Sequence, residues 1–197
     1  MALTVTLLSS KGGVGKTTAS MLIATSLSRR GYVVEVWDAD PQASATTWAE
    51  MASEEGDPLP FKVTPANIAT LKSRKPEAEV LIIDTPPGEA GIQTPAVRRS
   101  DMVIIPTGSS WLDVDRMWST LASMGNVPAI VLPSRVNTRT RKYRDLVEAL
   151  EGAEVAVFDT TVKELESYRD LPGTNPKKIG GFSSITTEML DLMEMKR

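Results

Sequence analysis

Residues 9–18, Ser-Ser-Lys-Gly-Gly-Val-Gly-Lys-Thr-Thr, constrain this chain more than any other stretch. They follow an apolar, β-favouring run from Leu3 to Leu8 and precede a helical pattern from Ala19 to Arg30. Strand, glycine-rich turn and helix in that order form the setting of a phosphate-binding loop. Gly12, Gly13 and Gly15 accept backbone angles that side chains forbid, so the turn can wrap an anion. Amides of the turn and of the first helical turn then point at the bound phosphates. On this reading Gly12, Gly13, Val14, Gly15, Lys16, Thr17 and Thr18 hold a nucleoside triphosphate. Lys16 places a point charge at the β/γ-phosphates, and the Thr17 hydroxyl is a Mg²⁺ ligand. The competing reading is a plain glycine turn.

Two further strands end in carboxylates, and open α/β sheets bind ligands at the carboxyl ends of their strands. Tyr32 to Trp37 runs into Asp38-Ala39-Asp40-Pro41-Gln42, where the proline breaks the strand and can open the next helix at its first turn. Val80 to Ile83 runs into Asp84, followed by Thr85-Pro86-Pro87-Gly88. Downstream of a phosphate loop, Asp84 takes the position of a carboxylate that holds Mg²⁺. Cysteine and histidine are absent, which removes disulfides, zinc sites and catalytic thiols or imidazoles. Catalysis is left to carboxylates, lysines, hydroxyls, amides and a metal.

Further strand candidates are Phe61–Thr64, Met102–Pro106, Ala129–Leu132 and Val155–Phe158. Helical patterns cover Ala66–Ser73, Asp113–Met124, Tyr143–Leu150, Thr161–Asp170 and Ser184–Met195. About seven strands alternating with helices specify an α/β fold, a mostly parallel sheet with helices on both faces. A length of 197 residues suits one domain. Trp111 and Trp118 read as core or dimer-surface aromatics.

The loop has Ser10 where the general signature has glycine, and then Lys11. This resembles the deviant KGGxGKTT signature of the ParA/MinD family of ATPases. Asp38 to Gln42 matches the family's DxDPQ, and LIIDTPPG and SDMVIIP are similar to its later motifs. The Ala43–Trp48 stretch resembles small ParF-like plasmid partition ATPases. The resemblance implies that ATP with Mg²⁺ closes a sandwich homodimer, or a filament, in which Lys11 reaches the partner's phosphates as an arginine finger does elsewhere. It also implies that Asp40 orients the attacking water, that Asp38 joins Thr17 and Asp84 around the metal, and that residues 85–88 form a switch. Pro133, Ser134 and Arg135, taken as the loop after a strand, are candidates for contacts with the base. Segment 171–181 lies near the base in relatives. The missing cysteines set the chain apart from the iron–sulfur members of the superfamily.

Between residues 135 and 144 lie Arg135, Arg139, Arg141, Lys142 and Arg144 with no acidic residue, in a chain of net charge −3. Such a reversal of sign reads either as a solvated helix face or as a patch for DNA phosphates. The resemblance favours non-specific DNA in the ATP state, with Arg139, Arg141, Lys142 and Arg144 as the contacts. It implies a ParB-like adaptor on a centromere or cargo that stimulates slow hydrolysis, and a cytoplasmic, nucleoid-associated protein. The chain starts at the loop strand, so no N-terminal operator-reading extension is expected. The acidic last helix argues against a MinD-like membrane cycle. A biosynthetic phosphotransfer enzyme of the dethiobiotin-synthetase or amidoligase kind is the alternative from another class.

Overall fold

The computed structural model describes residues 2–163 and 168–194. Its elements alternate regularly: β1 (Leu3–Leu7), α1 (Lys16–Arg29), β2 (Val34–Asp38), α2 (Ser44–Glu54), β3 (Lys62–Pro65), α3 (Ile68–Ser73) and β4 (Val80–Asp84). Then follow α4 (Ala90–Arg99), β5 (Met102–Thr107), α5 (Trp111–Leu121), β6 (Ala129–Val136), α6 (Arg141–Gly152), β7 (Val162–Lys163) and α7 (Phe182–Leu192). The described strands form a parallel sheet in the order β3-β2-β4-β1-β5-β6-β7.

Side chains alternate across each strand, so a doubly covered sheet needs apolar residues at both parities. Val5, Leu7, Val36, Ile82, Ile104 and Leu132 pack on one face under α1, α2 and α7. Leu81, Ile83, Val103, Ile105 and Val131 face the other side, under α3 to α6. Helix α1 is buried nearly all round from Ala19 to Leu27, which is why it shows no clean apolar stripe. Its last residues are bolted to the C-terminal segment: Arg29 donates to the Pro176 and Lys177 carbonyls, and Arg30 to Ser183 O and to the Thr187 hydroxyl.

Several expected boundaries move. Val155–Phe158 is not the last strand. Val157 makes an isolated bridge to Val131, and β7 lies at Val162–Lys163. The expected helix Thr161–Asp170 therefore begins in a strand, and its residues 164–167 lie outside the described residues, as does Met195 of the last helix. Pro133, Ser134 and Arg135 lie inside β6, because the strand runs on to Val136 beside β5 and β7. Pro41 does not open α2. Ala43, at φ 53°, turns the chain into a helix that starts at Ser44. Helix α4 lacks a sequence signal because Pro95 interrupts it.

Candidate functional site

The carboxyl ends of β1, β2 and β4 lie side by side, with Leu7 opposite Asp84 and Asp84 opposite Asp38. The loop after β1 turns through Gly13 at φ 74° and Gly15 at φ 90°, conformations that glycine alone adopts at little cost. Gly12 and Gly13 are exposed, while Lys16 behind them is buried. The Lys16 ammonium lies 3.3 Å from the Lys11 carbonyl oxygen. Burial pushes the Lys16 pKa down, opposed by the charges of Asp84 and Asp40. A buried cation behind open amides is an arrangement made for an anion.

Asp84 is fully buried and accepts hydrogen bonds from the Thr17 hydroxyl at 2.6 Å and the Ser20 hydroxyl at 3.1 Å. Burial raises its pKa from 3.8 to about 7, and the nearby Asp38 charge adds to the rise against Lys16 and the two hydroxyls. Thr17 and Asp84 supply hard oxygen donors, and among the described residues no cluster of three or more acidic, His or Cys side chains forms a closed cage. That donor set suits Mg²⁺, which keeps waters and takes few protein ligands, and does not suit a structural Ca²⁺ or Zn²⁺. Asp38 is engaged elsewhere. Its Oδ1 accepts from the Asp40 amide at 3.2 Å, and its Oδ2 caps α2 through the Thr46 amide and hydroxyl, both at 2.8 Å. Asp40 is half-buried, and its Oδ1 accepts from the Gln42 amide at 2.9 Å.

A cavity of about 830 Å³ opens from the loop. Its lining is polar at Lys16, Thr17, Thr18, Asp40, Ser134 and Arg135 and apolar at Trp48, Met51, Tyr168 and Phe182, with Lys163 and Arg169 also present. Ser134 donates to the Val14 carbonyl at 3.1 Å and Arg135, at φ 57°, to the Gly13 carbonyl at 2.6 Å, so both brace the loop from β6. Pro133 is buried against β5 and lies outside the cavity lining. The four apolar residues are not found by motif reading. Trp48 alone carried a signal, as part of a family-like helix.

Lys11 points to α5, where its Nζ lies 2.5 Å from Asp113 Oδ1. Asp113 closes a capping box with Ser110 at the start of that helix. Burial alone would raise the Asp113 pKa, but the bonds from Lys11 and Ser110 outweigh it and hold the carboxyl below its usual range. The Ser-x-x-Asp pattern at 110–113 is a capping signature, and it could have flagged this partner. Trp111, at 79% exposure, is no core residue, and Leu112 beside it is exposed too; Trp118 packs on the β5–β6 face. Thr85 is buried and donates to the Leu7 carbonyl, whereas Pro87 and Gly88 beyond it are exposed. Arg139, Arg141, Lys142 and Arg144 are all exposed around the start of α6, away from the cavity lining.

A sequence profile of the CobQ/CobB/MinD/ParA nucleotide-binding domain matches residues 5–176. The chain is 28% identical over 180 residues to the maintenance of carboxysome distribution protein A of Halothiobacillus neapolitanus, covering 86% of this chain and 83% of that one. It is 34% identical over 154 residues to the protein of the same name from Gloeobacter kilaueensis, covering 75% and 68%. Among solved structures, the fold superposes on a plasmid partition protein of Borrelia burgdorferi with a TM-score of 0.76 and 20% identity, over the full length of both chains.

Proposed function

The chain belongs to the CobQ/CobB/MinD/ParA family of nucleotide-binding proteins, and on that premise we propose that it is a Mg²⁺-dependent ATPase that positions DNA or another cargo. The observation that carries this reading is the open glycine cradle backed by buried Lys16 and by the Thr17–Asp84 contact, all at adjoining strand ends. Amides of residues 12–18 and the Lys16 ammonium bind the phosphates of the substrate ATP. Thr17 and Asp84 hold Mg²⁺, which neutralises charge on the phosphates when bound. Asp38 contributes by fixing the Asp40 backbone and α2. Asp40 lines the cavity close enough to Lys16 for its charge to be felt there, and it orients the attacking water. Asp84, the carboxylate raised toward neutrality, is assigned to the metal, and among the described residues no other base is raised toward neutrality in the site, so hydrolysis is slow without a partner.

Assembly follows from the Lys11 corner. Lys11 exchanges Asp113 for the phosphates bound by a second copy, and the exposed Trp111 and Leu112 beside it supply the apolar contact. The basic residues of α6 bind DNA backbone. Arg141, Lys142 and Arg144 crowd the first turn of a helix, where the macrodipole disfavours cations, so the arrangement suits an external anion better than it suits the helix. A ParB-like adaptor on the cargo stimulates hydrolysis, and loss of the γ-phosphate returns Lys11 to Asp113. In the ATP state the protein would sit on the nucleoid. Among the described residues no helix is long and apolar enough to cross a membrane.

The test is binding to random-sequence duplex DNA with ATP, with ADP and without nucleotide, at two salt concentrations. Binding confined to ATP and weakening steeply with salt is the expected result. A folded, ATP-binding protein that ignores DNA in every state would overturn the DNA cycle.

A further inference from the structure

Helix α2 has an unusual placement. Ser44, Thr47, Trp48 and Met51, spaced i, i+3, i+4 and i+7, share one face of the helix and all line the cavity. At 1.5 Å per residue that face is about 10 Å long. Ala45, Trp48 and Ala52 are its buried residues and fix it to the sheet, while Ser44, Thr47 and Met51 stay exposed. At its start it is joined to the Asp38–Gln42 loop: Ala43 sits in the strained left-handed region, Asp38 caps Thr46, and Asp40 holds Gln42. At its far side it is tied to segment 173–177. The Trp48 indole N–H donates to the Thr174 carbonyl at 2.6 Å, and Met51 packs so closely on Gly173 that a Cβ there would lie 2.9 Å from its methyl carbon. Just past the helix, Asp57 pairs with Lys177 at 2.7 Å and accepts from Asn175 at 3.0 Å.

The loop side of the cavity takes phosphates. Its apolar lining, Trp48, Met51, Tyr168 and Phe182, with Lys163 and Arg169 beside it, suits a flat heterocycle with a sugar attached. We propose that α2 couples the nucleoside part of the ligand to Asp40, and that Trp48 is the positioning residue that makes this link. This rests on the nucleotide reading above. A ligand with phosphates alone touches the loop and leaves α2 as it is. A nucleotide bridges the loop and the Trp48–Met51 wall, and the contact is passed through α2 to the Asp38 cap and so to Asp40. The site thereby distinguishes a nucleotide from inorganic phosphates before chemistry begins.

The matched probes are ADP and inorganic pyrophosphate, with affinity measured by calorimetry and local order by amide hydrogen exchange. In the parent protein both should protect residues 12–18. ADP alone should slow exchange at 40–46 and 171–177 together, and it should bind at least tenfold more tightly than pyrophosphate. Trp48→Phe keeps a ring in the wall and removes the donor to Thr174. It should lose most of the ADP advantage and the protection at 40–46, with pyrophosphate affinity changed less than twofold. Equal affinities in the parent, or ADP protection at 171–177 without 40–46, would overturn the coupling, and that measurement does not depend on the variant folding. A Trp48→Phe protein that keeps the parent's ADP affinity and its protection at 40–46 would overturn the role of Trp48. If the parent binds neither probe, the phosphate-loop reading fails first and the coupling with it.

Discussion

Asp84→Asn isolates the electrostatic strain at the centre of the site. In the folded protein the Asp84 carboxyl keeps its proton until about pH 7, whereas unfolded it ionises near the ordinary value of 3.8. A raised acid pKa makes the folded state less favourable as pH climbs from the lower value to the higher one, after which the loss is complete. At about 1.4 kcal/mol per unit, the stretch from pH 5 to pH 7 alone accounts for roughly 2–3 kcal/mol. The parent, freed of Mg²⁺ and nucleotide, should lose that amount between pH 5 and pH 8 relative to the Asn variant in urea unfolding. Charges facing the group come from α1 (Lys16) and β2 (Asp38), and the Thr17 and Ser20 hydroxyls can turn to suit an amide. A constant offset from leaving Lys16 without its carboxylate cancels in the comparison of two pH values. Identical pH slopes in the two proteins would refute the reasoning. Mg²⁺ should add to stabilisation by ADP in the parent and add nothing in the variant, because a bound cation reverses the preference for the neutral carboxyl.

Asp113→Asn should cost about 1 kcal/mol of stability at neutral pH, since Lys11 is partly exposed, and should raise the dimer fraction seen with ATP by sedimentation. Because the Asp113 pKa is depressed, the contribution of this pair is present above the ordinary carboxylate range and fades as pH falls toward the folded value; the thermal-stability difference between variant and parent should vanish in acid. Gly173→Ala places a side chain at φ 84° and against Met51, so a loss of about 1–3 kcal/mol in chemical unfolding is expected, with weaker ADP binding. Neutralising Arg141, Lys142 and Arg144 together should reduce the salt dependence of DNA binding by nearly one unit of slope per lost phosphate contact. The same change should leave α6 no less stable, and unaltered DNA binding would assign these residues to an ordinary solvated face.

The half of the site that a motif reading recovers is the half built from neighbouring residues. Loop, helix start and strand-end carboxylates are each a local chemical pattern, and the sheet sets them side by side through strand register alone. Lys16, Thr17 and Asp84 meet because Leu7 and Asp84 are partners in adjacent strands. A two-residue strand such as β7 leaves no pattern to detect, and the proline in α4 argues locally against a helix that packing on Leu71 and Trp37 nevertheless favours.

The other half depends on contacts across long stretches of chain. Lys11 finds Asp113 102 residues away, and Trp48 finds Thr174 126 residues away. In each case the sequence signal belongs to the local role: Asp113 reads as a capping residue, and Trp48 as an apolar position on a helix. Both do that local work, and the same geometry then places them against the nucleotide machinery. Asp38 shows the reverse. Its motif points to the metal, yet its oxygens hold the backbone of Asp40 and the first turn of α2. A carboxylate used in this way ties the position of Asp40 to the position of a helix. On the coupling proposed above, α2 should therefore matter more than the loop motif in separating a nucleotide from a simple phosphate.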